Sequence, residues 1–341
     1  MKALQYSEYG PSSVLHVVER AEPEPSAGRI RIAVRAVGVN PFDWKVRSGA
    51  FGTSPDRLPM VPHSDAAGVV DALGEGVEGV AIGDEVFGVA EGGAAAEHAV
   101  LRHWTAKPPA LSFTEAAGLP NVVETAGRAL DLLGLGKTQS PAATGDAGTG
   151  APATHGGPAP TAGDVDHAPH GDDSQPAAGV TLVVNGAAGG VGIAAVQIAI
   201  ARGATVIGTA SERNHDFLRG LGVIPVTYGP GLAGRIRALA PNGVDRALDA
   251  AGHGAVAELV TLTPTPADVV SIADFDAPKL GARVTDGSEG RAYQTLHEAA
   301  ALYTAGRFSM PVERTFPLEE AAAANDLSES GHVRGKIVIT L

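Results

Sequence analysis

Between residues 181 and 201 an apolar run, Thr-Leu-Val-Val-Asn, passes through Gly-Ala-Ala-Gly-Gly into a second apolar run ending Gln-Ile-Ala-Ile-Ala. A strand that hands over to a helix within so few residues must turn on glycine. The octet Asn185-Gly-Ala-Ala-Gly-Gly-Val-Gly192 therefore fixes a strand–turn–helix unit, with an amphipathic helix expected after it. Read against G-x-G-x-x-G, Ala187 holds the first place and Gly189 and Gly192 the other two. Without a Cβ, Gly189 and Gly190 let the backbone approach a pyrophosphate, which rests on the unpaired N–H groups and positive end of the following helix. Gly192 lets helix and strand pack closely. Ala188, Gly189, Gly190 and Val191 are the candidate phosphate cradle, and a ligand-free glycine turn is the alternative.

Downstream, ATVIGTAS, NHDFLRGLGV and further strand–helix pairs follow to about Ile272. Such alternation predicts a parallel sheet covered by helices on both faces. At the end of the second strand an NAD-binding chain carries a carboxylate for the ribose 2′-hydroxyl. This strand instead ends Gly208-Thr-Ala-Ser211, with Arg213 two residues on. A serine hydroxyl and a guanidinium suit a 2′-phosphate and point to NADPH, while the neighbouring Glu212 opposes that choice unless it turns outward.

The chain has 341 residues, more than one core usually serves, so a second domain is expected. Residues 2–119 supply it: short apolar stretches at Ile30–Val39, Ala67–Leu73 and Asp84–Val89, broken by Gly, Pro and Asp, predict a small β-rich domain. Thr114 reads as a helix N-cap, Val122–Leu135 as a helix leading out of that domain, and Leu318 as the start of a late helix before a closing strand at Lys336–Leu341. Thr138–Ala178 is rich in Gly, Pro, Ala, Thr and Asp, lacks aromatic residues and cannot bury enough surface to order itself, so a disordered insertion is expected there.

Composition removes several function classes. The chain contains no cysteine, which excludes disulfides, thiol nucleophiles and thiolate-held zinc or iron–sulfur centres. A net charge of −13 opposes nucleic acid and anionic lipid as partners. Neither a leader-like start nor a run of about 18 apolar residues is seen, which predicts a cytoplasmic protein outside the membrane. His155, His167 and His170 lie in the low-complexity segment, where ordering three metal ligands is costly; no metal site is expected.

Five separated motifs then agree in order: Gly38-Val-Asn-Pro-Phe-Asp43-Trp-Lys45, Pro62-His-Ser-Asp65-Ala-Ala-Gly68, Gly83-Asp84-Glu-Val-Phe-Gly88, the octet ending at Gly192, and His332-Val-Arg-Gly-Lys336-Ile-Val. They resemble the zinc-independent, quinone-oxidoreductase-like branch of the medium-chain dehydrogenase/reductase superfamily, over nearly the whole chain apart from Thr138–Ala178. The resemblance implies an α/β fold: a GroES-like barrel domain of residues 1–121 and 306–341, and a Rossmann doubly wound parallel-sheet domain of residues 122–305 between them. It implies that Asn40 and Thr125 lie by the nicotinamide half of the cofactor, that Ser211, Arg213 and Tyr228 surround the 2′-phosphate, and that Ile272 lines the nicotinamide pocket. It also suggests a homodimer. His63 stands one residue before the zinc-binding histidine position of the alcohol dehydrogenases, where this family pattern usually has Gly.

Lacking metal and thiol, such a chain is expected to serve hydride delivery from NADPH to a quinone or an α,β-unsaturated carbonyl. The protein must position the small-molecule acceptor and stabilise the developing oxyanion. Asn40, Asp43 and Lys45 are the catalytic candidates, with Lys45 as donor and Asp43 holding it, or as a plain surface ion pair. Resembling enoyl-thioester reductases carry a tyrosine where this chain has Phe51, so that mechanism does not transfer intact. A non-redox enzyme, such as a cyclase, or an NADPH-sensing binding protein on the same fold remains open.

Overall fold

The computed structural model describes residues 1–136, 177–331 and 333–341. The chain opens with strands β1 (Lys2–Gln5), β2 (His16–Glu19) and β3 (Ile30–Val39), the helix α1 (Pro41–Arg47), and strands β4 (Asp65–Leu73), β5 (Glu85–Glu91) and β6 (His98–Ala106). Helices α2 (Phe113–Ala117) and α3 (Pro120–Leu132) lead away from them. After the undescribed stretch come β7 (Thr181–Asn185), α4 (Gly190–Ala201), β8 (Thr205–Thr209), α5 (His215–Gly220), β9 (Ile224–Val226), α6 (Leu232–Leu239), β10 (Arg246–Asp249), α7 (Val256–Leu259), β11 (Val269–Ser271), β12 (Arg283–Val284) and α8 (Thr295–Thr304). The chain returns through β13 (Val312–Pro317), α9 (Ala321–Glu329) and β14 (Lys336–Thr340).

Two six-stranded sheets result. One runs β13-β14-β3-β4-β5-β6 and closes on itself, because β3 also pairs with β6 through Ile30–Ala33. Ten residues let β3 serve both neighbours, and register shifts beside Ile32 and Ala36 bend it around the barrel. The other is parallel throughout, in the order β12-β11-β10-β7-β8-β9. Its direction of winding reverses between β7 and β10, the crevice where open α/β sheets bind ligands. The predicted combination of a small β-rich unit and a doubly wound parallel sheet is the architecture found.

Local readings need three corrections. Helix α4 is not amphipathic: every residue from Gly192 to Ala199 is buried, because α3 covers the side that solvent would otherwise occupy. The cap of α2 is Ser112, not Thr114; the Glu115 N–H donates to Ser112 Oγ and the Glu115 carboxylate accepts from the Ser112 N–H. Leu318 begins a 3-10 turn, and the α-helix proper starts at Ala321. Of the expected insertion Thr138–Ala178 only Ala177 and Ala178 are among the described residues, and Ala177 is fully buried in the core under the parallel sheet. Those two residues thus belong to the fold, while His155, His167 and His170 lie outside the described residues. No helix among the described residues is long and apolar enough to cross a membrane.

Candidate functional site

The glycine octet does its work in an unexpected order. Gly186, at φ +81°, supplies the left-handed residue of the turn, which frees the next position for alanine. Ala187 is fully buried, and a Cβ on Gly208 of β8 would lie only 2.7 Å from its methyl group. The missing first glycine is therefore offset by a glycine on the neighbouring strand. Thr209 fastens the turn from that side: its hydroxyl accepts from the Gly186 N–H at 2.9 Å and donates to Asn185 Oδ1 at 2.7 Å.

Gly189 is the N-cap of α4 and provides no side-chain acceptor, so the first N–H groups of a twelve-residue helix remain available. A Cβ on Gly189 would find no heavy atom nearer than Gly186 O at 3.5 Å. Packing does not demand a glycine here. The space it leaves, beside free N–H donors, fits a diphosphate.

A row of polar residues marks the carboxyl ends of the central strands. Asn185, Asp249 and Ser271 stand in register on β7, β10 and β11. Asn185 Nδ2 donates to Asp249 Oδ1 at 2.8 Å, and Ser271 Oγ donates to Asp249 Oδ2 at 2.8 Å. The same carboxylate accepts from the N–H groups of Ala251 and Gly252, which sets the floor of the crevice; Ile272 follows directly, its N–H donating to Asp249 O. At the β8 end, the Ala210 N–H donates to Val226 O, which brings the segments carrying Ser211 and Tyr228 side by side. Ser211 Oγ accepts from Asn214 at 3.3 Å, and Arg213, Glu212 and Tyr228 are exposed. The described residues of this strand end thus include a hydroxyl, a carboxylate and a guanidinium, none of them buried.

The barrel side holds a buried polar network that sequence reading missed. Lys336 opens β14, is 3% exposed, and donates to Val39 O at 2.9 Å and to Asn40 Oδ1. Asn40 Nδ2 donates to Asp65 Oδ2 at 2.9 Å, which itself lies 4.0 Å from Lys336 Nζ. Asp65 Oδ1 accepts from the Asn121 N–H, one of the orphan donors in the first turn of α3. Asn40 is thereby held at both ends of its amide and keeps one N–H. The available signal was a charged residue opening each of two otherwise apolar strands, DAAGVV and KIVIT.

Asp43 does not hold Lys45. It is buried, accepts from the Asn40 N–H at 2.7 Å, and stands 2.8 Å from Nδ1 of the buried His63, whose Nε2 faces Asn325 Nδ2 at 3.4 Å. Residue 43 lies on the inner side of α1, so its carboxylate is committed before Lys45 can reach it. Lys45 Nζ instead lies 5.6 Å from the Trp44 ring centroid. His63 sits at φ +65°, a strained conformation for a residue with a Cβ, held by these two partners. Thr125 is half-buried on α3 and its hydroxyl donates to Glu124 at 3.3 Å.

Burial pushes the Asp65 carboxyl up to about 7, against the pull of Lys336 and the Asn40 hydrogen bond, and the same burial lowers the Lys336 ammonium. A carboxyl whose folded pKa is raised binds its proton more tightly in the folded state. Its stabilising contribution is full below the unfolded value near 4 and is lost as pH rises towards 7. Asp65→Asn removes this titration. The melting temperature of the variant relative to the parent is expected to rise by roughly 4 °C, about 2 kcal/mol, between pH 5 and pH 8, and a constant difference across that range would refute it.

Residues 26–110 match the family described as alcohol dehydrogenase GroES-like domain, and residues 227–339 the one described as zinc-binding dehydrogenase. A quinone-oxidoreductase homolog from the chloroplast of Spinacia oleracea is 32% identical over 235 residues, which cover 65% of this chain and 59% of the relative. The match thus spans less than two thirds of that relative's own length. An NADPH-dependent alkenal/one oxidoreductase of Arabidopsis thaliana is 28% identical over 99% of this chain and 79% of its own. The solved quinone oxidoreductase from Coxiella burnetii superposes with a TM-score of 0.75 at 28% identity, covering 100% of this chain and 99% of that one. With both sheets, the glycine turn and these likenesses in agreement, the chain belongs to the medium-chain dehydrogenase/reductase superfamily, in its quinone-oxidoreductase-like branch.

Proposed function

We propose that the protein is an NADPH-dependent oxidoreductase that delivers hydride to a quinone or an α,β-unsaturated carbonyl without a metal. The observation that carries this reading is the open cradle at Gly189, on uncapped N–H groups, beside a strand end that offers Ser211 and Arg213 instead of a buried carboxylate. The names of the spinach and Arabidopsis relatives agree with the reaction class.

Ala188, Gly189, Gly190 and Val191 hold the pyrophosphate; Ser211, Arg213 and Tyr228 receive the 2′-phosphate; Thr125, Ile272 and Asn40 border the nicotinamide. Bound NADPH supplies the hydride. The chain's own part is to bind, orient and stabilise charge. Asn40 has one N–H left after its bond to Asp65, and that donor serves a carbonyl oxygen as it becomes an oxyanion. Lys336 and Asp65 fix the amide plane from which it points. Lys45, free of Asp43, is a cation on the helix that Asn40 caps. Asp43 serves as a positioning residue, through the Asn40 backbone and His63. The donor set speaks for a metal-free step: the chain has no cysteine, and the His63 ring is engaged at both nitrogens.

The test is a titration with NADPH and NADH followed by nicotinamide absorbance with a panel of quinones and enones. NADPH oxidation by any of them supports the reading; binding without turnover on the panel counts for a sensor, and no binding for a non-redox enzyme. Arg213→Ala is expected to weaken NADPH about tenfold or more while leaving NADH within about threefold, because only NADPH presents a charge to it. Equal losses would overturn the cofactor choice.

A further inference from the structure

Barrel and parallel sheet meet at one backbone contact that the cofactor reading does not use. Gly335, just before β14, pairs with Gly189 in a parallel bridge, and its N–H donates to Ala188 O at 3.3 Å. The residue before it, Arg334, is thereby carried to the rim of the glycine turn. Its guanidinium does not return to the barrel. It lies over the Phe217 ring on α5, with Cζ 5.3 Å from the ring centroid.

Phe217 follows the Ser211–Arg213 segment by four residues on the same connection, so Arg334 spans from the turn to the adenosine end of the crevice. Stacking on an aromatic face fixes the plane of a guanidinium and leaves its N–H edge free. Neither Arg334 nor Arg213 forms an ion pair among the described residues, although the chain carries 38 acidic residues against 25 basic ones. Arg213 and Arg334 are both exposed, and without a carboxylate partner among the described residues both are available to an anion from outside.

From this geometry we infer that Arg334, presented by the barrel, is a second ligand of the 2′-phosphate and closes the adenosine end of the site opposite Arg213. This deepens the NADPH reading and rests on it. The same tripeptide that offers Arg334 ends in Lys336, which holds Asn40. A phosphate that draws Arg334 inwards therefore also braces the residue at the other end of the cofactor.

The experiment compares the parent with Arg334→Ala, Arg334→Lys and Phe217→Leu, titrating NADPH, NADH and 2′,5′-ADP by fluorescence or calorimetry. Arg334→Ala is expected to weaken NADPH and 2′,5′-ADP about tenfold and NADH less than about threefold. Lys restores part of the loss, since charge returns without the stacked plane, and Phe217→Leu gives an intermediate loss with the charge intact. Melting temperatures of the variants show whether each is folded. Unchanged NADPH affinity in a folded Arg334→Ala protein, or equal losses for NADPH and NADH, overturns the assignment while the cofactor reading stands. A parent protein that binds neither dinucleotide overturns both.

Discussion

Replacing Lys336 with methionine is expected to cost about 3–5 kcal/mol of stability, the range for removing one partner from a buried ion pair. The side chain is 3% exposed and Asp65 is 0% exposed, so no water takes over the lost contacts. Methionine fills most of the volume and leaves three acceptors behind: Val39 O, Asn40 Oδ1 and the Asp65 carboxylate. Asp65 then has its proton driven on further, since the nearest opposing charge is gone. Urea denaturation measures the loss, and the double variant with Asp65→Asn should recover part of it, because the two residues act as one unit. A loss below about 1 kcal/mol would mean that the pair is idle. The effect should also reach ligand binding. Once Lys336 no longer fixes the Asn40 amide, the donor proposed for the acceptor oxygen is free to turn away.

A paired substitution in the glycine turn separates folding from binding. At Gly192 a Cβ would sit 2.1 Å from Gly186 O and 2.8 Å from Ala187 Cα, both backbone atoms of the turn it must pack against. Gly192→Ala is expected to destabilise by about 1–3 kcal/mol and to abolish measurable NADPH binding at micromolar cofactor, because strand and helix must move apart. At Gly189 the nearest atom to a Cβ is 3.5 Å away and φ is −82°, which alanine accepts without strain. Gly189→Ala should therefore leave the melting temperature unchanged while weakening NADPH about tenfold or more, since the methyl group fills the space proposed for the phosphate. Equal stability losses in both variants would remove the argument that Gly189 is kept for a ligand.

How much of this was legible depended on how far along the chain each interaction reaches. The strand–turn–helix at Thr181–Ala201 is a local pattern and the structure has it, while the next strand, read as ending at Ser211, ends at Thr209, with Ser211 capping the 3-10 turn that follows. The fold class followed from repetition of that unit. Errors arose where the decisive partner was distant or the burial came from another element. Asp43 looked like a partner for Lys45 two residues away, yet its partner is His63, twenty residues on. Helix α4 looked one-sided, yet α3 buries the other side.

The sequence alone determined which backbone shapes this chain adopts, because glycine, proline and the apolar period act within a few residues: a parallel sheet with a glycine turn, and a barrel of short strands before it. It also excluded thiolate chemistry, since no fold can supply a cysteine that is not there. Only the tertiary structure decided what the polar residues do. Lys336 meets Asn40 across 296 positions, and Gly335 meets Gly189 across the seam between barrel and sheet. A buried charge takes whatever partner the packed fold brings within reach, and that choice is made by three-dimensional closure, which no local spacing encodes.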